Sequence, residues 1–337
     1  MIGILGGTGE VGQSAAAVLS AHDLRVGSRA TGVDVTDEES LDRFVEGCTV
    51  IVNCVGPSHQ YSATVARAAL RAGVDLVDAG GDEHLRAALD DGARTAGRRI
   101  VLAAGALPGL SGVLPRWLAA DLGAIDDLTA YFAVADRFTK AAAEDYLEGV
   151  LGTDNEPLAA WRNGRAIPDA LRREHNLTLP YLTDPVAAFP FLDGESRQLA
   201  RDLDLTNGTW HSVIEGDHLV AALDRARGLT RAEAVDGVCR AAALDLAGRT
   251  ARTTFLVEGR HAGRTRTAVL RGPGISTLTG AIAGITASAI NDVPPGAWCA
   301  ANVLDPIATI DQLRPIARVA ALEAAIEDLV VVEEGAL

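Results

Sequence analysis

The chain opens on a short apolar run, Ile2–Leu5, that passes directly into a glycine cluster, Gly6-Gly7-Thr8-Gly9-Glu10-Val11-Gly12. A helical pattern follows, with Val11, Ala15, Val18 and Leu19 on one face. No other feature restricts the fold as much. Strand, glycine loop and helix in this order form the first turn of a parallel βα sheet. Gly7, Gly9 and Gly12 fit G-x-G-x-x-G. In that pattern Gly9 lets a pyrophosphate approach the backbone and Gly12 lets the helix lie close to the strand. The helix N-terminus offers N–H groups and a partial positive charge.

The next hundred residues repeat the alternation. Strands are expected at Leu24–Val26, Val33–Val35, Thr49–Val55, Asp75–Val77 and Ile100–Ala103. Helices are expected after Thr36-Asp37-Glu38-Glu39, where Leu41, Phe44 and Val45 form the buried stripe, and at Ser62–Ala72 and His84–Ala96. This is an α/β chain that begins with a Rossmann-type, doubly wound parallel sheet. From about residue 125 the pattern changes. Leu128–Ala135 reads as a strand of another sheet, residues 141–205 as helix and loop, and Thr230-Arg231-Ala232-Glu233 as a capping box. Thr253–Glu258 and Arg264–Leu270 read as a hairpin. The expected division is a dinucleotide-binding domain over 1–122 and an α+β substrate and dimerisation domain over 123–337. The largely helical tail, Ile307–Val332, is free to pack back on the first domain. A chain of 337 residues is long enough for both.

Composition narrows the class. A chain 48% hydrophobic and 22% charged is globular. A net charge of −15 argues against a nucleic-acid partner. No run of about 18 apolar residues points to a membrane. A strand starting at Ile2 leaves no room for a leader, so a cytoplasmic location is expected. Cys48, Cys54, Cys239 and Cys299 stand apart, without a C-x-x-C pair, and are expected as free thiols. His211, Glu215 and His218 have i, i+4, i+7 spacing, but Gly216-Asp217 interrupts any helix there, and no metal site is expected.

The end of the second strand distinguishes the cofactors. An NAD reader places Asp or Glu there for the ribose hydroxyls. This chain has Gly27-Ser28-Arg29, in which Ser28 and Arg29 suit a 2′-phosphate, so NADP is expected. Asp34 and Val35 are expected to meet the adenine edge. A Tyr-x-x-x-Lys reductase is excluded, since Lys140 is the one lysine and Asp136 stands four residues before it. Cys239, inside a helical pattern, and Cys299, after Pro294-Pro295-Gly296, lack the surroundings of an activated nucleophile.

Three further segments carry a resemblance. Val52-Asn53-Cys54-Val55-Gly56-Pro57 resembles the VNCVGP segment of the saccharopine dehydrogenase (saccharopine reductase-like) family. Gly73-Val74-Asp75-Leu76-Val77-Asp78-Ala79-Gly80-Gly81-Asp82 is similar to its GVxYVDLTGE segment, and Gly105-Ala106-Leu107-Pro108-Gly109-Leu110 to its GFDPGL turn. The likeness is specific over residues 1–120. Leu76, Gly80 and Asp82 stand where the family has Tyr, Thr and Glu.

The resemblance implies hydride transfer between NADPH and a C=N or C=O group of an amino-acid-derived small molecule, with imine reduction favoured. Ligands in such sheets bind at the carboxyl ends of the strands. Cofactor contacts are therefore expected from Gly6, Gly7, Thr8, Gly9, Glu10, Val11 and Gly12, from Ser28, Arg29, Asp34 and Val35, from Asn53, Cys54, Val55, Gly56 and Pro57, and from Gly105. Asp78, Asp82 and His84 are the candidate catalytic residues. Leu107, Pro108, Trp210 and His211 are the candidate substrate contacts. A homodimer through the second domain is expected from the apolar hairpin. A carrier-bound substrate is an option if Arg162, Arg165, Arg172 and Arg173 form a basic entrance. The alternative is an NADP-binding redox sensor without turnover. The end of the second expected strand carries a prediction. Arg29→Ala should weaken NADPH binding by roughly 1.5–3 kcal/mol and leave NADH binding nearly unchanged. Equal losses in parallel titrations of the two cofactors would refute the 2′-phosphate role.

Overall fold

The structure, a computed structural model, describes residues 1–152 and 155–334, with backbone alone from 331 onward. It divides into two units. One comprises Met1–Val113 and Ser276–Ile316, the other Leu114–Ile275 and the chain from Ala317 on.

The first unit begins with β1 (Ile2–Leu5), α1 (Glu10–Val18), β2 (Leu24–Gly27), α2 (Glu38–Val45), β3 (Val50–Asn53), α3 (Ser58–Ala72), β4 (Asp75–Asp78), α4 (Glu83–Ala96), β5 (Arg99–Leu102) and the start of α5 (Leu110–Leu122), whose residues from Leu114 on belong to the second. Leu5, Ile51, Leu76 and Ile100 are fully buried, as in strands covered on both faces. The helix boundaries follow from local chemistry. Asp37 and Asp82 accept hydrogen bonds from the Glu39 and Leu85 N–H groups and cap α2 and α4. Gly73 and Gly97 take left-handed conformations that end α3 and α4.

The second unit continues with β6 (Asp127–Ala135), α6 (Lys140–Leu151), four short strands β7 (Glu156–Pro157), β8 (Ala160–Arg162), β9 (Arg165–Ile167) and β10 (Glu174–Leu177), then β11 (Val186–Leu192), α7 (Gly194–Asp202) and β12 (Asn207–Ile214). It goes on through α8 (Asp217–Ala226), α9 (Arg231–Asp245), β13 (Arg252–His261) and β14 (Arg264–Gly272). The capping box expected at Thr230 and Glu233 is present. The chain then re-enters the first unit with α10 (Ile275–Ser288), β15 (Gly296–Cys299), α11 (Ala300–Val303) and α12 (Pro306–Leu313), and closes with β16 (Arg318–Leu322) and α13 (Ile326–Glu334).

Two sheets result, an all-parallel one in order β15-β5-β4-β3-β1-β2 and a mixed one whose main path is β10-β11-β12-β6-β13-β14-β16. The α/β class with a parallel first sheet is as the sequence indicates. Three local expectations are corrected. Val33–Val35 forms no strand, so β2 is the sheet edge. The sixth strand comes instead from β15, nearly two hundred residues after β5. The tail contains a strand, β16, between two helices. Among the described residues no helix is long and apolar enough to cross a membrane.

The apolar hairpin face from which a homodimer is expected is covered within the same unit. On one face Leu256 and Val269 pack with Leu179, Leu182, Val186, Ile326 and Leu329 of the same unit. On the other, Phe255 is fully buried and meets Phe132 edge-on at 4.8 Å. Phe255→Ala should therefore destabilise the protein by roughly 3–5 kcal/mol, since the cavity it leaves is lined by rigid strands. A urea midpoint within error of the native one would contradict this account of the core.

Candidate functional site

Gly6 adopts φ +73° and turns the chain out of β1. A Cβ placed on Gly12 would lie 2.5 Å from the Gly6 carbonyl oxygen and from the Gly7 Cα, so α1 rests against the loop only because residue 12 has no side chain. Gly9 is exposed and stands at the N-cap, and no side chain caps the helix. The first-turn N–H groups of α1 are thus left for another acceptor, which is what a pyrophosphate requires. Thr8 and Glu10 are exposed beside it and Val11 is half-buried.

At the end of β2, Ser28 begins a 3₁₀ turn over Arg29–Thr31. Its backbone is tied to Thr31, yet its Oγ is buried without a protein partner. Arg29 is exposed. An open groove of about 560 Å³ runs along this edge, walled by Val26, Thr31, Gly32, Val33, Arg43 and Phe44. Asp34 and Val35 differ from expectation. The Asp34 carboxylate accepts hydrogen bonds from the Thr36 N–H (2.9 Å) and hydroxyl (2.7 Å), which hold its pKa below the usual carboxylate range. Val35 is buried in the core with Leu41 and Phe44. They shape a turn where a third strand was expected.

The three turns after β3, β4 and β5 are joined by one hydrogen-bond network. Asn53 and Asp78 are both buried, and Asn53 Nδ2 donates to Asp78 Oδ2 at 2.8 Å. Asn53 Oδ1 accepts from the Val55 N–H, and Asp78 Oδ1 from the Gly80 N–H. In the backbone, Ala79 donates to Asn53, Ala104 to Asp78 and Ala103 to Gly80. Gly105 and Gly109 close a tight loop in which Leu110 N–H donates to the Gly105 carbonyl, with Gly109 at φ +120°. The Gly56–Pro57 and Leu107–Pro108 peptide bonds in these turns are cis. Pro57 is buried and Gly56 exposed, and α3 starts immediately afterwards with no side-chain cap. Cys54 sits against Asp78. Burial, and then that carboxylate, push its thiol up to about 12, so it is no nucleophile.

The remaining candidates separate. Asp82 is exposed, with its carboxylate engaged as the cap of α4, and His84 is exposed on that helix's first turn. Leu107 is exposed and Pro108 half-buried at the tip of the Gly105–Gly109 loop. Trp210 and His211 lie instead in the middle of the second unit's sheet, 1% and 4% exposed. His211 stacks on Tyr131 at 4.5 Å, its Nδ1 faces the Ala130 carbonyl at 3.2 Å, and burial lowers its pKa to about 4. Glu215 is paired with Arg252, and His218 with Asp245 at 2.7 Å. The sequence offers a helix candidate at about residues 279–290 but gives it no part in the site, although the Gly280-x-x-x-Gly284 spacing of α10 is visible there. Gly280 lies against α1, Ser14 Oγ donates to the Thr277 carbonyl at 2.7 Å, and Ala106 N–H points at Thr279 Oγ1 at 3.4 Å.

The Asn53–Asp78 pair makes a stability prediction. Asn53→Ala removes a donor from a buried carboxylate and should lower unfolding free energy by roughly 2–3 kcal/mol. Denaturant titration at neutral pH measures it, and a loss under about 0.5 kcal/mol would remove the pair from its structural role.

Residues 23–100 match the family model of the saccharopine dehydrogenase NADP binding domain, a span holding β2 to β5 and the Asn53 and Asp78 turns. Apo saccharopine dehydrogenase (L-Glu forming) from Saccharomyces cerevisiae is similar over 95% of this chain and 99% of its own, at 13% identity and a TM-score of 0.64. C. glutamicum DAP dehydrogenase in complex with DAP aligns over 93% of this chain and 98% of its own, at 15% identity and a TM-score of 0.47. Over residues 23–100 the chain is thus similar to the saccharopine dehydrogenase NADP binding domain, and it shares the fold of the yeast enzyme along nearly its whole length.

Proposed function

We propose that the protein is an NADP-dependent oxidoreductase of the saccharopine dehydrogenase type, which transfers hydride to the C=N, or alternatively C=O, carbon of an amino-acid-derived small molecule. The observation that carries this reading is the carboxyl edge of the parallel sheet. An uncapped helix N-terminus follows the glycine loop, and the β2 end offers a hydroxyl and a guanidinium where an NAD reader has a carboxylate. The family model over residues 23–100 and the yeast enzyme's name support the same chemistry.

The residues fit the cofactor. The N–H groups of α1 suit the pyrophosphate, and Ser28 and Arg29 suit the 2′-phosphate, in which charge-assisted contacts are stronger than neutral ones. The Asn53–Pro57 turn and Gly105 are assigned to the nicotinamide half. When bound, the cofactor supplies the hydride. The chain's part is to orient it and to polarise or protonate the acceptor. Asp78 acts here by position: with its oxygens accepting from Asn53 and Gly80, it fixes the two turns. Leu107 and Pro108, at the tip of their loop, are assigned to the substrate. His84, exposed on α4, is the favoured proton donor of the three candidates, because Asp78 is buried and Asp82 caps a helix.

The commitment of those two carboxylates to structure is also the observation that favours the second reading, an NADP-binding sensor without turnover. Delivery of the substrate on a carrier protein rests on the arginines near β8 and β9. Arg162 and Arg165 are paired across that hairpin, while Arg173 already bonds Asp224 at 2.6 Å.

The test incubates the purified protein with NADPH and a panel of cyclic and acyclic imines and 2-oxo acids with ammonia. Loss of the reduced-nicotinamide absorbance is expected with at least one imine. Firm NADPH binding without oxidation across the panel would favour the sensor, and absence of NADPH binding would overturn both readings.

A further inference from the structure

The helix α10 has no part in the sequence reading of the site, yet it touches both ends of the proposed cofactor track. A Cβ placed on Gly280 would collide with the Val11 carbonyl oxygen and lie 2.6 Å from the Ser14 Cβ and 2.9 Å from the Ala15 nitrogen. One turn on, a Cβ on Gly284 would be 2.8 Å from the Val18 Cβ and 3.0 Å from the Ala15 carbonyl oxygen. Backbone therefore meets backbone along two turns of α1. The Ser14 hydroxyl adds a hydrogen bond to the Thr277 carbonyl. At the same end of α10, Thr279 stands against the other turn. Its Oγ1 faces the Ala106 N–H, and its Cγ2 would lie 3.2 Å from a Cβ on Gly105. Leu278, Ala281, Ile282 and Ile285 of α10 are fully or almost fully buried, so the helix is held on all sides.

From these contacts we infer that α10 is a brace that sets the distance between the N-terminus of α1 and the Gly105–Gly109 turn, with Gly280 and Thr279 as positioning residues for NADP(H). The inference rests on the cofactor reading above. Its physical basis is the stiffness of a packed interior. None of the three atoms facing Gly280 is the free end of a side chain, so an added methyl must move a helix. The donors of α1 must hold their place to within about half an ångström to serve a pyrophosphate. Gly280 thus acts through α1, on the phosphates, and Thr279 acts through the Gly105 turn, on the nicotinamide half.

The experiment titrates the full-length protein and its variants with NADPH and with 2′,5′-ADP, which lacks the nicotinamide half, and records the melting temperature of each. Gly280→Ala should raise the dissociation constants of both ligands about tenfold. Thr279→Val keeps the shape and removes the acceptor, and should raise that of NADPH about threefold while leaving 2′,5′-ADP unchanged. Val238→Ala in α9, a core substitution in the other unit, serves as the match for lost melting temperature and should leave both constants as they were. Gly284→Ala, which meets a side chain as well as backbone, replaces Gly280→Ala if the latter does not fold. Unchanged ligand constants in the α10 glycine variants, or a loss reproduced by Val238→Ala at equal melting temperature, would overturn the brace. A native protein that binds neither ligand would overturn the cofactor reading itself, whereas a native protein that binds both while the variants bind equally well overturns the brace alone.

Discussion

A buried carboxylate organises the carboxyl edge of the first sheet. Asp78 has 1% of its surface exposed, and an ionised carboxylate in that position is tolerated only if hydrogen bonds replace its lost hydration. Asn53 Nδ2 and the Gly80 N–H provide them. Asn53 must then stay at the last position of β3, and Gly80 must fold back after β4. The neighbouring backbone bonds bring in Ala103 and Ala104 after β5. Three consecutive strand ends are locked to one another before any ligand is considered. Cys54 reports the same environment, since burial and the adjacent negative charge both disfavour its thiolate.

The other half of the edge is built from absent side chains. Gly12 lets α1 sit on the glycine loop, and Gly280 and Gly284 let α10 sit on α1. Three layers of backbone are thereby stacked at distances that no alanine permits. Rigid backbone is an effective support for a phosphate, because its N–H groups have no rotamers to lose on binding. The β2 side is more open, with a groove along an unpaired strand edge and an exposed arginine. On the proposed cofactor reading, a fixed cradle for the pyrophosphate stands beside an adaptable end for the adenosine phosphate.

Much of this was legible in the residues themselves. Continuous apolar runs and helical patterns located the βα units. Capping boxes marked the helix starts near Asp37 and at Thr230, whereas the cap at Asp82 emerged only from the structure, and the hairpin of β13 and β14 turns at Ala262 and Gly263 as its glycine suggested. These signals are local, since a cap or a turn is decided within three or four residues. The same locality explains the errors. Val33-Asp34-Val35 alternates like a strand, but the Asp34 carboxylate binds Thr36 and Val35 drops into the core beside Phe44, so a turn wins. Trp210 and His211 look like pocket residues in sequence, and pairing with β6 and β11 buries them in mid-sheet.

By itself, then, the sequence determined the strands and helices of the first hundred residues apart from Val33–Val35, the glycine-rich turn after β1, the missing acid after β2 and the likeness to the saccharopine dehydrogenase domain, because each depends on neighbours along the chain. Only the tertiary structure decided that Asn53 and Asp78 bind each other, that β15 completes the first sheet from near residue 296, and that the small residues of α10 lie on α1. Each joins residues 25 to nearly 270 positions apart. Whether a buried polar group finds its partner, or a glycine meets a backbone, is settled by the packing of the whole unit, which no local pattern encodes.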